Sequence, residues 1–199
     1  MAALIERLRA VEHEWRRDVD QAQARWHYRL ERNRPRFESD TLRMHRLLRQ
    51  GLARFVRESS LANAITAPLI YSLIAPIALL DAWLSAYQAI CFRLYRIPRV
   101  RRSGYIVIDR HHLAYLNGIE KLNCVYCGYT NGVFAYAREI AARTEQYWCP
   151  IKHARRIAQP HMRYRKFVDY GDAEGYHREL PRLRVDWEPN LVQKARSRR

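Results

Sequence analysis

Four residues stand at spacings suited to holding a metal ion. Cys124 and Cys127 form C-x2-C within Asn-Cys-Val-Tyr-Cys-Gly-Tyr, and Cys149 and His153 form C-x3-H within Trp-Cys-Pro-Ile-Lys-His. Three thiolates and one imidazole complete a tetrahedral shell for Zn2+. In a tight C-x2-C turn both sulfurs point inward, and Gly128 lets the chain turn just beyond them. Pro150 suits the first position of a helix, and Cys149 and His153, one turn apart, would then point the same way. A closed four-ligand shell leaves no open coordination position, so the expected metal is structural rather than catalytic. Two other readings stay open: a C-x2-C pair acting alone in redox chemistry, and separate reduced cysteines.

The segments around these residues carry a local resemblance. Cys124-Val-Tyr-Cys-Gly-Tyr129 resembles the first metal knuckle of rubredoxins and zinc ribbons, and Trp148-Cys-Pro150 resembles the lead-in to the second. The likeness is confined to the two knuckles and the chain that joins them, within 124–153. It implies one iron, or zinc in the ribbons, between two such knuckles. The second knuckle departs from the family pattern, because position 152 is Lys and His153 follows one place later. That departure favours Zn2+ over Fe.

Other candidate groups are weaker. His111 and His112 follow the β-branched run Tyr105-Ile-Val-Ile108, read as a short strand. Paired histidines at a strand end are expected at the surface or hydrogen-bonded, with one able to join a metal shell nearby. Glu120, Glu139 and Glu145 are expected as i,i+4 partners of Arg and Lys rather than as acid–base groups. Cys91 closes an apolar stretch and is expected to pack. The sequence has no Ser/His/Asp order, phosphate-binding Gly loop or H-E-x-x-H motif, so no catalytic residue is assigned.

For the metal site to close, the intervening chain must fold back. Residues 134–146 read as helix by propensity, and a straight helix over 132–147 would be ~24 Å long. Thr130-Asn131-Gly132 offers an Asn-Gly hairpin turn in its place.

Residues 61–80 carry no charged side chain. A run of that length is the minimum for crossing about 30 Å of hydrocarbon as a helix. After Asp81 the apolar run resumes to Phe92. Pro68 and Pro76 are places to break a helix, and Asp81, Trp83 and Tyr87 suit a wet interface. Arg54 and Arg57 precede the run, and Arg93, Arg96, Arg99, Arg101 and Arg102 follow it. Positive residues collect on the cytoplasmic side, so both flanks belong on one face. A re-entrant or shallow helical hairpin inserted monotopically meets that preference. A single span and a hairpin buried in a soluble core are the alternatives.

The chain as a whole is strongly basic. Its 199 residues hold 36 Lys and Arg against 20 Asp and Glu, for a net charge of +16. Thirty-two of those cations are Arg, the residue that grips phosphate bidentately. Such an excess calls for a polyanion, either anionic lipid or nucleic acid. With 48% apolar residues wholesale disorder is excluded, and a mean hydropathy of −0.49 excludes a polytopic membrane protein. Charge appears within six residues of the start, so no secretory signal peptide is expected. Four Cys are too few for a disulfide scaffold, and a reducing cytoplasmic setting follows.

At the N-terminus, Leu4, Leu8, Val11, Trp15, Val19, Ala22 and Trp26 mark one helix face, expected to run to about Asn33 before Arg34-Pro35 stops it. This stripe packs on the chain itself or meets a protein partner or second copy. Ser39-Asp40 is read as the cap of a second helix, with Leu42, Leu48, Leu52, Phe55 and Val56 opposite an Arg face. Such a basic amphipathic helix suits a membrane surface. Residues 153–167 are basic with aromatics interleaved, a strip able to contact phosphate.

The expected architecture is mainly α with a minor α+β part. A helical arm spans 1–58, an apolar membrane-associated hairpin 59–95, a Cys/His metal module 96–180 and a basic tail 181–199. The expected function is that of a bacterial-type interaction or scaffold protein with structural Zn2+, on the cytoplasmic face of the inner membrane. The alternatives are a soluble nucleic-acid-binding zinc module in the cytoplasm and a C-x2-C redox protein.

Overall fold

The computed structural model describes residues 2–31 and 34–187. It is mostly helical, as the periodicity predicts, and it divides into two compact units. One unit comprises residues 1–61 and 109–125, the other 62–108 and 126–199. The expected basic tail lies outside the described residues from 188 onward.

In the first unit, helix α1 (Ala2–Arg25) ends earlier than its apolar stripe suggests. His27 takes a left-handed φ of 50° that breaks the helix, and strands β1 (Tyr28–Glu31) and β2 (Arg34–Phe37) pair antiparallel behind it. The predicted continuation to Asn33 is therefore corrected: Trp26 and His27 form a turn, and Tyr28 pairs across the ladder with Phe37. Helix α2 (Ser39–Leu47) starts where Ser39-Asp40 predicts, although Glu38 is the capping position and no side chain caps it. Helix α3 (Leu52–Glu58) is separate from it. His45 is buried between the rings of Phe37 and Tyr115, with centroids 5.1 and 5.0 Å away.

The second unit contains α4 (Leu61–Ser72, all but its first residue), α5 (Ile74–Tyr87) and, from residue 126, most of α6 (Gly118–Trp148). A π-helical turn, Gln88–Phe92, extends α5. Its core is Phe92, Ile97, Val100, Tyr136 and Ile140, with Leu84, Tyr87, Tyr95, Tyr105, Tyr147 and Trp187 packed around them.

Three predicted features are absent, the first two because helix α6 runs through them. No knuckle turn forms at Cys124–Cys127, no hairpin forms at Asn131-Gly132, and residues 105–108 form no strand. The helix starts in a reciprocal cap. Glu120 N donates to Asn117 Oδ1 at 3.0 Å, while Asn117 N donates to Glu120 Oε2 at 2.8 Å. The exchange satisfies two orphan donors of the first turn. Gly132 sits where the chain segment 105–106 crosses the helix. A Cβ there would stand 2.7 Å from Ile106 Cα and 2.9 Å from Tyr105 O. The glycine serves a close backbone approach rather than a turn.

Further along α6, Arg143 is buried and shares the carboxylate of Glu139 with Arg163, at 2.8 and 3.0 Å. Arg143 also donates to Pro98 O. Gln146 donates to Leu183 O and Asp186 O, tying in the C-terminal helix α7 (Ala173–Leu183). Residues 181–183, the first of the expected basic tail, are thus helix. Glu139 pairs with Arg143 at i,i+4 as predicted, whereas Glu145 pairs with His161 at 2.8 Å.

Candidate membrane-contacting segment

The segment 61–92 is one helical run of 32 residues, and only 6% of its most apolar stretch is buried. The predicted hairpin is corrected: Leu73 alone drops out of regular helix, and with φ −62° and ψ −18° it keeps the right-handed helical region. Pro76 explains the break, since its ring displaces the carbonyl four residues back and supplies no N–H. Pro68 lies inside α4 without ending it.

Which side of this run faces the protein decides its character. Asp81, Ser85, Gln88 and Phe92 recur at helical spacing on the inward face. Asp81 is 6% exposed and Gln88 3%. Arg102 donates to both Asp81 oxygens, at 2.6 Å from Nη2 to Oδ2 and 3.0 Å from Nε to Oδ1. Tyr129 donates to Asp81 Oδ2 at 2.9 Å. Burial and the Asp81 carboxylate push the Tyr129 phenol above its ordinary value, so it stays protonated as a donor. Gln88 accepts from Val100 N at 2.9 Å, donates to Val100 O at 3.3 Å, and donates to the Tyr136 hydroxyl. Ser85 lies 3.4 Å from the same hydroxyl.

The outward face holds Leu61, Ile65, Leu69, Leu73, Leu79, Trp83, Ile90 and Leu94, with Leu69 72% and Trp83 73% exposed. A water-soluble helix buries its apolar stripe and wets its polar one. Here much of the arrangement is reversed: acid, amide and hydroxyl point into the protein beside Ile77 and Phe92, and most of the hydrocarbon side chains point out. Polar groups turned inward and apolar groups turned outward are what a lipid solvent selects.

The Asp81–Arg102 pair is unequal, because the Arg102 side chain is half exposed and the Asp81 side chain is 9% exposed. Replacing Arg102 by Met strands a buried carboxylate on Tyr129 alone, with an expected loss of about 2 kcal/mol, below the range for fully buried pairs. Asp81→Asn leaves Arg102 able to reach water and is expected to cost about 1 kcal/mol. Thermal melts of the two variants check the order, and equal losses would contradict it.

No protein-family model, curated protein or solved structure matches this chain.

The structure does not bring the four predicted metal ligands together. Cys127 lies within α6 and Cys149 directly follows its last residue, a separation of 22 positions on one rod. At 1.5 Å per residue that is about 33 Å of helix axis, far beyond a thiolate–zinc bond of about 2.3 Å. Cys124 stands nearly a turn further back. Pro150 and Ile151 start no helix; Ile151 bridges to Val168, and the His153 ring lies near-parallel to Tyr164 with centroids 6.1 Å apart. Among the described residues no group of three or more His, Cys, Asp or Glu side chains could hold one ion. The four residues in this conformation do not fit a shared Zn2+ or Fe.

His111 and His112 lie on a single 3-10 turn (Arg110–His112), with ring centroids 4.0 Å apart. Partial desolvation, then the neighbouring His111 and Arg34, hold the His112 imidazole below its ordinary value. Cys91 is half-buried on the apolar run, consistent with packing.

Proposed function

We propose that this chain is a membrane-anchored protein, held by insertion of residues 61–80 into the hydrocarbon of one leaflet. The observation that carries this reading is the reversed polarity of α5 and its π-helical extension, joined to α4, whose side chains have no buried member. Their apolar side chains surround the axis over 61–76 instead of forming one stripe, so the helix suits submersion rather than half-immersion. Basic residues on both flanks, Arg54 and Arg57 before and Arg93 to Arg102 after, favour holding both ends at the same negatively charged face. That face is the cytoplasmic side of the membrane.

An interaction role for the N-terminal arm is supported by α1, where Val11 and Trp15 are exposed, and by Trp26 just beyond it, which is exposed too. The nucleic-acid alternative draws on the same positive charge, but it leaves the outward leucines and Trp83 in water. The zinc and redox parts of the expected function gain no support from the placement of the cysteines.

Fractionation tests the proposal. The expressed chain is expected to sediment with membranes, to resist extraction by high salt and alkaline carbonate, and to be released by detergent. A monodisperse protein recovered without detergent at low salt would overturn it.

A further inference from the structure

The loop that follows the apolar run is built in an unusual way. The helix closes with a two-bond cap in which Ile97 N donates to Phe92 O at 2.8 Å and Arg96 N to Arg93 O at 3.4 Å. Phe92 and Ile97 are both buried in the core, and a contact between residues at these two positions normally accompanies such a cap. The cap requires a left-handed residue, the position glycine usually fills. Here it is Arg96, at φ 55°. A non-glycine residue held there is strained, and such strain persists where the surrounding structure over-determines it.

The rest of the loop is equally fixed. Ile97 and Val100 point into the core, Gln88 clamps both backbone groups of Val100, and Arg143 holds Pro98 O. Pinning 97 and 100 leaves the side chains between and beside them facing out. Arg93, Arg96, Arg99 and Arg101 are all exposed. Between Asp81 and Asp109 the chain has five Arg and no acid, and Asp81 neutralises only Arg102. None of the other four has an ion-pair partner among the described residues. Next to them, Leu79, Trp83, Ile90 and Leu94 form an exposed apolar stripe along the helix that leads into the loop.

We infer that Arg93, Arg96, Arg99 and Arg101 form a preorganised site for the phosphate of anionic phospholipids, with the Leu79–Leu94 stripe in the adjoining acyl region. This rests on the membrane reading above and adds the chemistry of the lipid it prefers. A guanidinium matches phosphate in planar, bidentate fashion. A rigid loop spares the ordering cost that four flexible arginines would otherwise carry into the complex. Charge beside an exposed hydrocarbon stripe fits an amphiphile; a nucleic acid would cover the arginines and leave the stripe wet.

The test is competition between two labelled vesicle populations, phosphatidylcholine alone and phosphatidylcholine with phosphatidylglycerol, for the full chain diluted out of neutral detergent. The wild type is expected to favour the anionic vesicles, and the preference is expected to shrink with added salt. Each arginine near such a surface contributes about a fivefold preference, so Arg96→Gln is expected to lower it about fivefold. Arg96→Gly is expected to lower it equally while raising the melting temperature, because glycine relieves the left-handed strain. A purely structural role for Arg96 would not move stability and lipid preference in opposite directions. Combined replacement of all four by Gln is expected to abolish the preference while insertion into both vesicles persists. Equal partition of the wild type overturns this inference and leaves the membrane reading standing. Failure to enter either population overturns both. An unchanged preference in the fourfold variant, or salt-sensitive binding to a DNA duplex in its place, also overturns it.

Discussion

Aspartates placed together at Ile65 and Leu69 are expected to release the protein into the soluble fraction without unfolding it. Both side chains are exposed and lie on the outward face of α4. In water an acid at such a position is nearly neutral in its effect on stability. In hydrocarbon each charged residue near the middle of an inserted helix costs about 2.5–3.5 kcal/mol, so the pair costs about 5–7 kcal/mol of anchoring. The two environments thus predict opposite results from one substitution. The measurement is the membrane-bound fraction after alkaline extraction, read beside the melting curve of the released protein. A variant that stays with membranes refutes insertion through α4, and one that unfolds shows that the two side chains are core.

Gly132→Val is expected to be a strongly damaging replacement in α6. Valine would bring its Cβ to 2.7 Å from Ile106 Cα, and the opposing atoms are backbone, which cannot rotate away. Either α6 or the 105–106 segment must move, and that segment leads from the clamped loop around Val100. The expected loss is about 3 kcal/mol, at the upper end of the range for overpacking. Gly132→Ala is expected to lose less, since the gain of about 1 kcal/mol in helix propensity offsets part of the clash. Chemical denaturation of the pair gives the order. Stabilisation by alanine would show that the crossing is looser than the distances imply.

How much of this was legible in the sequence differs by element. The apolar run over 61–92 and its basic flanks were plain, because hydropathy and charge are local properties, whereas its exposure was not. Its inner face was present as well: Asp81, Ser85, Gln88 and Phe92 repeat at helical spacing. Read without partners, however, Asp81 looked like an interruption of the run. Arg102 and Tyr129 lie 21 and 48 positions away, and nothing local announces the pairing. The hairpin reading failed for a related reason. A proline removes one hydrogen bond and displaces one carbonyl, which bends a helix when packing holds both halves; it need not reverse the chain.

The candidate metal site shows the opposite error. C-x2-C and an Asn-Gly pair are strong local signals, and here both are overridden by a helix they do not break. Two features could have revealed that helix. Asn117 followed three residues later by Glu120 is a capping pair. Tyr126, Tyr129, Val133, Tyr136, Ile140 and Tyr147 recur at intervals of three, four or seven. Gly128 and Gly132 hid the stripe, because intrinsic propensity counts against glycine in a helix interior, whereas tertiary contact requires it at 132. The end of α1 was missed because nothing local announces the left-handed His27, and the start of α7 was missed although Asp172, which accepts from Gly175 N at 2.8 Å, is a local capping residue.

The distance in sequence between Asp81 and its partners has a consequence for biogenesis. During synthesis the apolar stretch emerges first, carrying a naked aspartate at its end, and Arg102 follows 21 residues later, Tyr129 48 residues later. An ion pair must exist before the acid can leave water cheaply. For a chain that attaches through this stretch, synthesis has therefore passed Tyr129 before attachment is complete. Docking onto the bilayer becomes a late event that reports correct assembly of the downstream helix, and chains that fail to assemble it remain in the aqueous phase, within reach of chaperones and proteases.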